Sequence, residues 1–85
     1  MTTQEQLDQQ SLTKLDELMS DLAAANEAQC ELLREHLEGA RVYLVGCMPA
    51  EYQISLELAE EALNCVANRD LRQRIESFIQ NQLSL

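Results

Sequence analysis

The sequence has few of the residues that break helices or favour strands. Its 85 residues include no Trp, two Gly and one Pro, and aromatic residues make up 4%. Because β-branched residues are also few, Leu and Ala supply most of the apolar mass, which suits helices. At 46% hydrophobic residues, the chain is too apolar for a disordered protein. We therefore expect an all-α fold.

Basic residues are scarce as well. The chain has six Lys and Arg residues against fifteen Asp and Glu residues, so its formal net charge is −9. A chain this acidic lacks the basic patches that nucleic acids and anionic membranes require. It also lacks a long hydrophobic run of the roughly 18 residues that a membrane span needs, and its N-terminus is too polar for a signal peptide. We expect no nucleic acid, no membrane and a cytoplasmic location.

The three cysteines, Cys30, Cys47 and Cys65, are odd in number and far apart in sequence. This spacing argues against a disulfide framework and against a structural metal site. The sequence predicts three free thiols in a reducing compartment, two of them acting as small buried hydrophobes and Cys47 as a turn residue.

The length predicts one small helical domain, residues 1–85. Residues 4–10 are almost entirely polar, so we expect residues 1–10 to fray. A helix N-cap fits equally well at Thr2 or Thr3 and at Ser11 or Thr13, since all four side chains can accept a hydrogen bond from the first turn.

A single turn organises the chain, and it contains the only Pro. Gly46 can adopt the left-handed conformation that ends a helix, and Pro49 fits the first turn of the next one. The carboxylate of Glu51 then lies near the positive N-terminus of the second helix, where it is stabilising. These residues predict an antiparallel helical hairpin hinged at residues 46–49. The alternative is a kink in one long helix.

Apolar residues recur at helical spacing on both sides of this turn. We predict one long first helix over residues 12–45, bent near Asn26, in which Gly39 permits close helix approach. A second helix starts near Pro49. The matching stripes that face each other are Cys30, Leu33, Leu37, Ala40 and Leu44 in the first helix, and Tyr52, Leu56, Ala59, Leu63 and Val66 in the second.

The second helix carries a further apolar stripe that a single neighbouring helix cannot cover. Its members, which are the candidate partner-binding residues, are Ile54, Leu58, Ala62 and Cys65. Asp70 is the expected N-cap of a short third, C-terminal helix over residues 71–82. The sequence leaves open whether this third helix or a protein partner covers the stripe.

Catalytic and metal-binding patterns are missing. His36 is the single His, and its charged neighbours indicate a helix surface. Glu57, Glu60 and Glu61 lack the Glu-x-x-His motif that completes carboxylate metal sites in helical bundles. There is no Gly-rich phosphate loop and no nucleophile motif. We therefore expect a protein that is not an enzyme and that uses no cofactor or metal.

Residues 33–67 resemble the small co-chaperones of type III secretion needle subunits. The resemblance lies in Leu33–Arg41, Gly46–Gln53 and Leu58–Leu63, including the motif G-x-x-P-x-x-Y-Q. It implies a cytoplasmic, non-enzymatic helical hairpin that pairs with a helical-repeat chaperone to hold the needle subunit unpolymerised. Residues 70–85 extend beyond the usual length of that family.

The sequence thus favours a protein-binding module that acts as such a co-chaperone. The alternative is a helical adaptor or regulatory protein that self-associates into a homodimeric bundle through the same surplus apolar stripe.

Overall fold

The structure, a computed structural model, describes residues 2–25 and 30–84, with side chains from residue 9 onward. This part of the chain forms four helices and no strands, which confirms the all-α class. The helices are α1 (Thr2–Ala25), α2 (Glu31–Val45), α3 (Pro49–Glu61) and α4 (Arg69–Leu83), with a short 3-10 turn (Leu63–Cys65) between α3 and α4.

The prediction of one long first helix is wrong, because α1 and α2 are separate helices that pack against each other. The Nε of Arg41 in α2 donates a hydrogen bond to the Asp16 carboxylate in α1 at 2.7 Å, although 25 positions separate the two residues. Folding back lets each helix bury its own apolar stripe against the other. Ser11 and Thr13 lie inside α1 and cap nothing, since the helix begins at Thr2. The expected bend at Asn26 lies outside the described residues.

The turn between α2 and α3 differs in detail from the prediction. Gly46 has a φ of −80°, whereas Cys47 has a φ of 56° and adopts the left-handed conformation expected of Gly46. The N–H of Met48 donates to the Tyr43 carbonyl at 2.9 Å, and the N–H of Cys47 donates to the Leu44 carbonyl at 3.2 Å. These two bonds form a Schellman motif, which ends α2 one residue later than the glycine suggests.

The connection to α4 is a true break in the helix, because Val66 and Asn68 are extended. Asn68 is the N-cap of α4, and its side-chain oxygen accepts from the Leu71 N–H at 3.0 Å. The predicted cap, Asp70, instead lies in the first turn of α4. There its negative charge interacts favourably with the positive end of the helix dipole.

The core lies where the four helices meet. Each helix packs against the next, and α4 also packs against α1, so the bundle is closed. It measures about 40 × 19 × 19 Å. The buried apolar residues come from every helix and from the 3-10 turn: Leu15, Leu18, Leu22, Cys30, Leu33, Leu37, Ala40, Leu56, Ala59, Leu63, Val66, Leu71, Ile75, Phe78 and Ile79. Of the two predicted facing stripes, only Leu44 and Tyr52 remain half-buried.

Cys30 and Cys65 form a disulfide, so the prediction of three free thiols is wrong. Their Cα atoms are 5.2 Å apart, within the range that a disulfide spans. The inference from sequence distance failed because antiparallel packing of α2 on α3 brings together residues that are 35 positions apart. Cys47 is free and exposed.

None of the described helices is both long enough and apolar enough to cross a membrane.

Candidate protein-binding face

The predicted partner-binding stripe divides into an exposed and a half-buried part. Ile54 is 56% exposed and Leu58 is 41% exposed. Ala62 and Cys65 are half-buried, and Cys65 is bonded to Cys30. In these positions Ile54 and Leu58 are available to a partner, whereas Cys65 serves mainly to tie α3 to α2.

The C-terminal helix does not cover Ile54 and Leu58. It packs against α1 and α3, and its buried residues are Leu71, Ile75, Phe78 and Ile79. On α3 the side facing α4 is marked by Tyr52, whose hydroxyl donates to the Gln82 side-chain oxygen at 2.7 Å. Since α4 lies on that side of α3, the question left open by the sequence is answered for this stripe: α4 leaves its two largest side chains exposed.

Two contacts fix how α2 and α3 lie against each other. A Cβ at Gly39 would lie 3.6 Å from the Ser55 side-chain oxygen, and Cys30 is bonded to Cys65. The two pairs define one antiparallel register. In that register position 36 lies level with position 58, and position 32 lies level with position 62. Leu58 and Ala62 are therefore beside α2, one and two turns from Ser55.

Two further exposed apolar residues, which were not predicted from the sequence, belong to the same surface. Leu32 is 57% exposed and Val42 is 64% exposed. They lie seven positions before and three after Gly39, so all three share the side of α2 that borders Ser55. Their spacing relative to Gly39 is present in the sequence, but only the structure shows that this side of α2 lies beside α3. We call the following set the outer face: Leu32, Gly39 and Val42 of α2, Ile54 and Leu58 of α3, and Ala62 at the end of α3.

Acidic side chains border the outer face. Glu51, Glu57 and Glu61 are exposed, and each lies one turn of α3 from Ile54 or Leu58. Glu35 is also exposed and lies one turn from Leu32. The face thus combines an apolar strip with negatively charged edges, an arrangement that suits binding of an amphipathic helix.

The other side chains considered for chemistry are His36 and the glutamates of α3. In the described residues no group of three or more His, Cys, Asp and Glu is placed to hold a metal. His36 is half-buried at the level of Leu58. An open groove between α1 and α4 is lined by polar side chains such as Lys14 and Arg74, and Arg74 is paired with Asp21 at 2.9 Å.

Comparison with known proteins finds no match, whether among protein families, curated proteins or solved structures.

Proposed function

We propose that this protein is a non-enzymatic binding module that acts as a co-chaperone in type III secretion. In this role it pairs with a helical-repeat chaperone and helps to hold a needle subunit unpolymerised. The observation that carries the proposed role is the exposure of Ile54 and Leu58 in a bundle whose other apolar stripe is buried. A large aliphatic pair that no helix of the described chain covers is best explained by a partner that covers it.

Under this proposal the helices have different roles. The hairpin of α2 and α3 is the binding unit. Of the predicted partner-binding residues, Ile54, Leu58 and the half-buried Ala62 lie on the outer face, whereas Cys65 is bonded to Cys30. Helices α1 and α4 support the hairpin from the other side, where Leu56 and Leu63 are buried. The extra C-terminal segment therefore strengthens the bundle and leaves the binding surface accessible.

The proposed role belongs to the bacterial cytoplasm, where protein thiols are kept reduced. The bond between Cys30 and Cys65 is of the kind that oxidising compartments favour. Both states therefore belong in any test, with the bond intact and with it reduced.

The direct test is reconstitution of the complex. The protein is co-expressed with the helical-repeat chaperone and needle subunit of the same genome, then purified and analysed by light scattering. A complex of all three proteins with an unpolymerised needle subunit is expected. Failure of the protein to join the chaperone in both redox states would reject the co-chaperone role.

The second candidate is a self-associating adaptor, in which the outer face of one copy covers that of another. The same exposed side chains favour it. Light scattering of the protein alone separates the two functions, because the adaptor is a dimer at micromolar concentration whereas the co-chaperone is a monomer until its partner is added.

A further inference from the structure

We infer that the occupant of the outer face is a partner helix that is apolar along one side and carries Lys or Arg along the edges of that side. This inference rests on the proposed binding function and specifies the chemistry of the partner. It follows from the shape of the apolar strip and from the distribution of charge around it.

The apolar strip has the dimensions of a helix-binding surface. Leu32 and Val42 are ten residues apart on α2, which corresponds to about 15 Å along the helix axis. Between them the surface is low, because Gly39 has no side chain and Ser55 opposite it is small and 7% exposed. Exposed aliphatic side chains thus flank a shallow central strip between two antiparallel helices, which about three turns of a partner helix would cover.

The charge next to this strip has one sign. No Lys or Arg occurs between Arg41 and Arg69, a stretch that includes all of α3. The exposed glutamates one turn from the apolar residues are Glu35, Glu38, Glu51, Glu57 and Glu61. Arg34 lies two positions from Leu32, and is therefore on nearly the opposite side of α2. A partner with cations at its edges would complement this border, whereas one with anions would be repelled.

The same charges disfavour a second copy as the occupant. In a symmetric dimer each outer face meets its own image, so the glutamate borders of the two copies come together. Two of the five arginines are held in ion pairs elsewhere on the bundle. Arg41 is paired with Asp16 and Arg74 with Asp21, both on the α1 side of the bundle.

Two synthetic helical peptides test the inference on the full chain. Both have the same Leu positions along one side, but one carries Lys at the flanking positions and the other carries Glu. Fluorescence anisotropy measures their affinities at low and high salt. The Lys peptide is expected to bind at least about tenfold more tightly than the Glu peptide, with the difference shrinking as salt screens the charges. Equal affinities would overturn the inference.

Glutamate variants of the protein test whether the peptide binds at the outer face. Replacing Glu57 and Glu61 together, E57Q/E61Q, is expected to weaken the Lys peptide severalfold and leave the Glu peptide unchanged or tighter. The matched control is E76Q, which removes an exposed glutamate from α4 and is expected to change neither affinity. An equal loss in E76Q would show nonspecific attraction to an acidic protein and would overturn the inference, as would dimerisation through the outer face.

Failure of this inference is distinguishable from failure of the proposed function. If the Lys peptide binds the outer face but the secretion chaperone does not join the protein, the partner chemistry stands and the co-chaperone role falls. If the chaperone complex forms but the two peptides bind equally, the reverse holds.

Discussion

Cys30 and Cys65 are covalently joined across a separation of 35 residues. The bond connects the residue that precedes α2 to the end of the 3-10 turn, at the opposite end of the hairpin from Cys47. The hairpin is thus closed at one end by its turn and at the other by the disulfide. A bond in this position restricts the unfolded chain more than it alters the packed helices.

Removal of the disulfide is expected to destabilise the fold markedly. Closing a loop of this length is worth about 3–4 kcal/mol in the chain-entropy description. The double variant C30S/C65S is therefore predicted to unfold at a much lower urea concentration than the oxidised protein. The matched control is C47S, which removes the exposed, unbonded thiol and is expected to unfold like the native chain. Equal midpoints for the double variant and the native chain would contradict the prediction.

A glycine at position 47 is expected to stabilise the protein. Cys47 has a φ of 56°, which a side chain with a Cβ adopts at a cost of about 1–2 kcal/mol. Part of that gain is lost because glycine adds entropy to the unfolded chain. Thermal unfolding of C47G should therefore show a net gain of about 0.5–1 kcal/mol. C47A keeps the Cβ and should show no such gain; a gain of the same size in C47A would assign the effect to the thiol.

Loss of the Asn68 cap is expected to destabilise α4. The Asn68 side chain accepts from the Leu71 N–H, and replacing such a cap by Ala typically costs about 1 kcal/mol. Urea unfolding of N68A should show this loss. D70N, which removes only a charge in the first turn, should lose less, within about 0.3–1 kcal/mol. The opposite order would mean that Asp70 is the cap, as the sequence suggested.

The fold does not require a glycine at position 39 for steric reasons. A Cβ built there would meet the Ser55 oxygen at 3.6 Å, an ordinary contact distance. G39A is therefore expected to stabilise α2 by up to about 1 kcal/mol through its higher helix propensity. A lower melting temperature in G39A would show that the helices need a closer approach than this geometry indicates.

The sequence was sufficient for the parts of the fold that depend on local periodicity. The two facing stripes, the turn near Pro49 and a C-terminal helix all follow from apolar spacing and from the positions of Gly and Pro. The predicted helix bounds were less accurate where two neighbouring polar residues are both suitable N-caps. Asn68 and Asp70 are both good caps by composition, and only the backbone conformation shows which one accepts from Leu71.

Features that depend on tertiary packing were not predictable from the sequence. The split between α1 and α2 and the bond between Cys30 and Cys65 require that helices fold back on each other, and no local pattern encodes the distance between the two sulfur atoms. Ile54 and Leu58 were identified from spacing. Leu32 and Val42 were missed, because their place beside α3 becomes visible only in the register that Gly39 and Ser55 define.

One apolar stripe of the second half of the hairpin is buried and holds the fold together, and we propose that the other binds a partner. Leu63 is 4% exposed and Leu58 is 41% exposed. L63A should lower the stability by about 2–5 kcal/mol, the usual cost of truncating a buried Leu. L58D places its charge at the surface and should lower the stability by less than about 1 kcal/mol.

The most direct measurement is therefore a circular dichroism melt of L58D and L63A, combined with binding of the Lys peptide to each folded variant. We expect L58D to melt close to the native temperature and no longer to bind the peptide, and L63A to melt much earlier. If L58D melts as early as L63A, the stripe of Leu58 is part of the core; if L58D binds the peptide as tightly as the native protein, Leu58 is not a binding residue. Either result would contradict the proposed binding face.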